Sequence, residues 1–154
     1  LEGVKVVLIT NASRLGAPEV QRGLAMLDEH EGEIWAKLDA GDAETYQRVN
    51  RAAVPFERVV EGLRDAGRVR PIVIQSMFFE HYGRPPSPEQ IERYVDCLGD
   101  LAASGCRIKA VQVYTVARPP IESEARPLPI EALEHIAAQV RARLAKVSVE
   151  VYGG

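Results

Sequence analysis

Short β-branched runs alternate with longer stretches of helical period along the whole chain, and this alternation restricts the fold more than any other feature. Val4 to Thr10 (V-K-V-V-L-I-T) is nearly continuous in apolar residues, as a strand covered on both faces should be. Ile34 to Asp39, Val69 to Phe79, Ile108 to Val116 and Val147 to Tyr152 complete a set of five predicted strands. Between them, apolar residues recur at spacings of three and four: Val20, Leu24 and Leu27; Phe56, Val59, Val60 and Leu63; Ile91, Val95, Leu98 and Leu101; Leu133, Ile136, Val140 and Leu144. Each series predicts a helix with one buried stripe. Asp42 is expected to cap a helix running through Tyr46 and Val49, and Gly67 to end the next one. Ser87-Pro88-Glu89-Gln90 joins an N-cap serine, a first-turn proline and a glutamine three residues on, which predicts a capping box. The prolines of R-P-P-I-E-S-E-A-R-P-L-P, residues 118–129, predict a loop.

The order β-α-β-α-β-α-β-α-β implies an α/β domain with a largely parallel sheet. Both an open doubly wound sheet and part of a (β/α) barrel satisfy it. Polar residues inside the strands favour the barrel. Lys37 interrupts an apolar strand and Asp39 lies two residues on, so the two share a face. Gln75 interrupts the third strand, Gln112 the fourth, and Asn11 follows the first at the corresponding place. Left unpaired in a dry interior, such groups would each cost about 1–3 kcal/mol. A shared polar cavity at the carboxyl ends of barrel strands would satisfy them together. The expectation is therefore a partial parallel (β/α) barrel of about five strands, helices outside, with Lys37, Gln75 and Gln112 on the concave face. Tyr114 and Arg118 would lie further toward its open end, where substrate enters.

Composition narrows the functional classes. With 19 basic against 22 acidic residues and a net charge of −3, the chain has no general attraction for nucleic acid or anionic lipid, and neither is an expected partner. No apolar run reaches the roughly 18–20 residues that span a bilayer, and no leader pattern is present, so a cytoplasmic location is expected. Residues 1–154 read as one domain without a linker, and the chain opens on Leu1 as a fragment would. Cys97 and Cys106 lack C-x-x-C spacing and read as inert thiols. P-loop, dinucleotide-binding and nucleophile-elbow motifs are all missing. His30, His81 and His135 form no H-x-x-x-H pair; of these only His81, at a strand's carboxyl end, is placed for a site role.

The string K-L-D-A-G-D-A-E-T-Y-Q-R-V-N-R from Lys37 to Arg51, taken with L-I-T-N-A-S at Leu8 to Ser13, resembles the radical S-adenosylmethionine (SAM) enzymes related to molybdenum-cofactor synthesis and activating proteins. Phe56 to Leu63 is similar to the helix that follows in that family, and I-Q-S-M-F-F and V-Q-V-Y-T-V-A-R-P-P to two later strands. The resemblance covers nearly the whole chain from the family's third strand onward. It implies the C-terminal half of a radical SAM barrel in an iron–sulfur oxidoreductase-like parent using SAM and a 4Fe–4S cluster. By the same resemblance Thr10, Asn11, Lys37 and Asp39 are cofactor-binding positions. Gln75 and Gln112 join them from strand position alone. The family's C-x-x-x-C-x-x-C cluster loop and its G-G-E-like segment are absent, so this chain is expected to bind no metal of its own and to be catalytically incomplete. No small-molecule or protein substrate is named by these residues. A stand-alone, non-enzymatic ligand- or partner-binding domain is the alternative. An uncovered first strand or open barrel face predicts self-association.

Overall fold

A computed structural model describes residues 4–117 and 124–154. In chain order the elements are β1 (Val7–Thr10), α1 (Pro18–Glu29), β2 (Glu33–Lys37), α2 (Ala43–Asn50), α3 (Phe56–Val69), β3 (Ile72–Met77), β4 (Phe79–His81), α4 (Pro88–Ala103), β5 (Ile108–Tyr114), β6 (Ala125–Pro127), α5 (Ile130–Arg143) and β7 (Ser148–Tyr152). Five strands form a parallel sheet in the order β1-β2-β3-β5-β7, and β4 pairs antiparallel with β6 in a separate two-stranded ribbon.

The strand order never reverses, so the sheet has no switch point of the kind a doubly wound fold requires. Crossovers of one hand then put every helix on the same side. The core shows this directly. Ile34, Ala36 and Leu38 of β2 and the loop after it, Ile72 and Ile74 of β3, Val111 and Val113 of β5, and Val149 and Val151 of β7 join one cluster with Leu24, Leu63, Leu98 and Ile136 from the helices. Their alternate neighbours Trp35, Val73 and Ala110 stay outside it. One face of the sheet is covered and the other is open. No closed barrel forms among the described residues; β1 and β7 remain edges.

Local chemistry explains the element boundaries. Asp42 accepts the Thr45 amide at 2.8 Å and starts α2, while Ser87 and Gln90 exchange both capping-box bonds and start α4. Gly105, at φ +92, follows α4 where a left-handed residue is needed. Gly67 does not end a helix as expected: α3 runs on to Val69, and Pro71 then stops it. Gly67 is buried, and a Cβ there would lie 2.2 Å from Cys106 Sγ, so it is a glycine of close approach. The third strand is correspondingly shorter than Val69 to Phe79, because α3 takes its start and β4 its end. The stretch expected to be a loop contains β6. Its partner β4 turns through Tyr82 and Gly83, both at positive φ, into the His81–Arg84 bridge, the geometry of a two-residue hairpin turn. Among the described residues no helix is long and apolar enough to cross a membrane.

Candidate functional site

Register gathers the polar strand residues on the open face. Lys37 is level with Gln75, Gln75 with Gln112, and Gln112 with Glu150 on the edge strand β7. Gln75 Nε2 donates to Gln112 Oε1 at 2.9 Å, Gln112 Nε2 donates to Glu150 Oε2 at 3.2 Å, and the Tyr152 hydroxyl donates to the same carboxylate at 2.7 Å. The result is a continuous polar row across four strands, cationic at one end and anionic at the other. Within the row Gln112 is buried, whereas Glu150 and Tyr152 are exposed.

Above Lys37, the side chain of Asp39 is fully buried. Oδ1 accepts the Met77 amide and Oδ2 accepts Asn50 Nδ2, each at 2.9 Å, and Lys37 Nζ stands 3.6 Å from Oδ2. Asp39 therefore ties β2, β3 and α2 together at the carboxyl end of the sheet. Asn50 Oδ1, in the same cluster, is buried without a hydrogen-bond donor. Burial alone would lower the Lys37 pKa, but the neighbouring Asp39 carboxylate and Tyr114 hydroxyl outweigh it, and the ammonium titrates above its ordinary value. Tyr114 is half-buried next to Lys37; burial raises its pKa more than the ammonium lowers it, and the phenol stays protonated at neutral pH. At pH 7 the site thus presents a fixed cation, a phenolic donor and two amides.

The structure does not bring the first strand's candidates into this row. Thr10 pairs with Ala36 and so shares the helix-covered face, where its Oγ1 accepts the Ala12 amide at 3.1 Å. Asn11 is exposed, and its Oδ1 is taken up by the Ser13 amide and hydroxyl in an Asx turn around Ala12, which sits at φ 61. Arg118 lies outside the described residues. Two participants were missed by sequence reasoning. Glu150 carried a usable signal, since it is the polar member of an alternating S-V-E-V-Y strand. Asn50 carried none beyond its place in the K-L-D…N-R string.

Beyond the carboxyl ends of β2 and β3 lies a cleft of about 640 Å³, bounded by α2, the start of α4 and the β4–β6 ribbon. The ribbon is fastened over it by Glu124, whose Oε2 lies 2.9 Å from Arg51 and 3.9 Å from His81 Nε2. His81 thus belongs to the cleft wall and not to the polar row.

No protein-family model matches the chain, and no curated protein matches it either. Among solved structures it is similar to a radical SAM methyltransferase from Sphaerobacter thermophilus, with a TM-score of 0.61 at 15% sequence identity. The likeness is one of fold. It takes in 95% of this chain but only 39% of that one, so the chain spans well under half the length of the protein it is similar to.

A 4Fe–4S cluster does not fit the residues present. Cys97 lies on α4 and Cys106 just after it, both on the helix-covered side of the sheet, and burial pushes both thiols up to about 11, away from the thiolate such a cluster needs. Among the described residues no group of three or more His, Cys, Asp or Glu is arranged to hold a metal ion. The polar row, by contrast, suits an elongated polar ligand that carries its anionic group at the Lys37 end. With strands about 4.8 Å apart, its four members span about 14 Å between opposite charges.

Proposed function

We propose that this chain supplies the SAM-holding strands of a radical SAM enzyme, as the C-terminal part of a barrel whose cluster ligands come from elsewhere. The observation that carries the reading is the continuous Lys37–Gln75–Gln112–Glu150 row on the uncovered face of a sheet with the fold of a radical SAM methyltransferase. In this reading Lys37 takes the SAM carboxylate and Gln75 and Gln112 take hydroxyl and amino groups along its length; the ammonium and sulfonium stay near Lys37 beside that carboxylate, so Glu150, at the far end of the row, is left to accept from the neutral adenine amino group. Asp39 is a positioning residue: both its oxygens are committed to Met77 and Asn50, and its effect on ligand runs through Lys37. Tyr114 stands on the same face one step further toward the carboxyl end, level with Met77, where a substrate would meet the bound SAM. SAM, when bound, would supply a sulfonium that either transfers its methyl group to a nucleophile or, on one-electron reduction by a cluster held elsewhere in the protein, releases a carbon radical and a thioether. Keeping water from that centre requires a cover over the open face, which these residues do not provide among themselves.

Calorimetric titration of SAM into the chain tests the reading. Weak but measurable binding is expected, falling roughly tenfold in Lys37→Gln and several-fold in Gln112→Ala, on loss of a charge-assisted and a neutral hydrogen bond respectively. Binding indifferent to both substitutions would remove the row from the cofactor site. Anaerobic reconstitution with iron and sulfide is expected to give no stoichiometric cluster chromophore; a stable cluster that cleaves SAM would overturn the assignment of the ligands to another part of the protein.

A further inference from the structure

The geometry points to the cleft above β2 and β3 as a second binding site, for a small amphipathic anion: a planar apolar body carrying a carboxylate or phosphate. Its volume of about 640 Å³ lies in the middle of the range of small-molecule sites. The apolar lining includes Val49, Met77, Phe79 and Pro85, drawn from α2, the end of β3, β4 and the turn before α4.

Its polar groups can be followed one by one, and almost all are already used. Thr45 Oγ1 donates to Asp42, Ser87 Oγ and Gln90 Oε1 each accept a backbone amide in the capping box, and the Tyr94 hydroxyl donates to Ser76 at 2.6 Å. Asp39 has both oxygens bonded and Lys37 close by, and His81 and Tyr82 lie against Glu124. Besides the Gln90 Nε2 amide, which is a further donor, the charged exceptions are Arg48 and Arg84. Both line the cleft, both are exposed, and among the described residues neither guanidinium has an acidic or hydrogen-bonding partner. Most other arginines among the described residues are paired, as in Arg14–Glu19, Arg51–Glu124, Arg70–Asp28 and Arg141–Glu134. Two uncommitted cations beside an apolar pocket with no free acceptor recognise an anion with an apolar ring attached. The size excludes a folded partner. The site differs from the SAM reading in its cations, since neither arginine belongs to the polar row, while Asp39 and Met77 border both.

Phenyl phosphate and benzoate are the probes, with inorganic phosphate and benzyl alcohol as the two half-ligands, titrated by calorimetry and by backbone amide shifts. At least one of the two anions is expected to bind roughly tenfold more tightly than either half-ligand, shifting the amides of Val49, Met77 and Phe79. Tighter phenyl phosphate identifies a phosphate-bearing ligand and tighter benzoate a carboxylate; either supports the proposal. The double variant Arg48→Gln/Arg84→Gln is expected to lose about tenfold in affinity, whereas Arg22→Gln, on the distant α1, leaves it within about twofold. Should the double variant fail to fold, Arg84→Gln alone, outside any helix, is expected to lose about threefold. Equal affinity in the arginine variants, shifts centred elsewhere, or no binding of either anion at about 10 mM overturns the proposal. Loss of phenyl phosphate or benzoate binding in Arg48→Gln/Arg84→Gln with SAM binding unchanged would separate this site from the row.

Discussion

The two faces of the sheet are built from alternate residues of the same strands, and they have opposite characters. Ile72 and Ile74 face the helices and are fully buried, while Gln75, one residue on, faces the open side and bonds to Gln112. The covered face is dry and apolar, and its polar members, Thr10, Ser76 and Thr115, are each hydrogen-bonded, to the Ala12 amide, to Tyr94 and to the Leu128 amide. On the open face charge is layered along the strands: Glu33 between Lys5 and Lys109 at the amino end, an apolar band of Trp35 and Val73, then the polar row, then Asp39 and Tyr114. A period of two lets one segment serve stability on one side and recognition on the other, with no residue asked to do both.

The sharpest way to break that comparison is to truncate neighbours. Ile74→Ala removes a side chain with no exposed surface and is expected to cost about 2–5 kcal/mol, whereas Gln75→Ala should cost no more than about 1 kcal/mol. Urea unfolding of the two variants measures both. Equal losses would mean that the open face contributes to the core as much as the covered one.

Gly67 sharpens the comparison inside the covered layer. In a helix, Gly→Ala ordinarily stabilises by about 1 kcal/mol. Here the new Cβ would meet Cys106 Sγ at 2.2 Å, and relieving the overlap is expected to cost about 1–3 kcal/mol, so Gly67→Ala should be net destabilising. In a Cys106→Gly background the overlap with Sγ is gone and the penalty should shrink or change sign. A Gly67→Ala penalty of unchanged size in that background would show that the thiol is not the obstacle.

These contrasts also mark what could be read from the residues alone. The βα order, the Asp42 and Ser87 caps and the shared face of Lys37, Gln75 and Gln112 follow from local chemistry and a period of two, so they were legible. The β4–β6 ribbon was not. Its strands are three residues each, they lie on opposite sides of α4 and β5, and the turn places Tyr82 rather than Asn or Gly at positive φ. Gly67 misled for a related reason: a glycine that ends a helix and one that admits a neighbouring side chain look alike until the neighbour is known. Thr10 was assigned by resemblance, but register turns it toward the helices. The cleft combines residues from α2, β3, β4 and the start of α4, and no local pattern announces such an assembly.

The two edges of the sheet differ as the two faces do. On β7 the exposed residues are Ser148, Glu150 and Tyr152, whereas on β1 they are Val7, Leu8 and Ile9, the last 62% exposed, with Val4, Val6 and Met26 nearby. Unpaired backbone groups beside apolar side chains are a template for strand pairing, and the chain is expected to self-associate there. Light scattering over a concentration series should show this, and Ile9→Lys should weaken the association about tenfold by placing a charge on the edge. A wild-type chain that stays monomeric at high concentration would show that β1 is not the adhesive edge.

The smallest effect expected concerns the charged amino end of the open face. The hydrogen bond from Lys109, then those from Lys5 and Trp35, hold the Glu33 carboxyl down to about 2 from its ordinary 4.5. A pKa depressed in the folded state stabilises the fold wherever the carboxylate is ionised in both states, that is above about 4.5, and the stabilisation fades as pH falls from 4.5 through 2. Lys5 and Lys109 are each 53% exposed, so solvent screens both pairs and limits the contribution to about 1 kcal/mol. Glu33→Gln should therefore be less stable than wild type by about that amount at pH 7, with the gap closing toward pH 2 and narrowing in 1 M salt. Thermal unfolding of both proteins from pH 2 to 7 tests it. A gap that stayed constant with pH would show that the lost stabilisation does not depend on the charge of the Glu33 carboxylate, and so does not come from the lysine pairs.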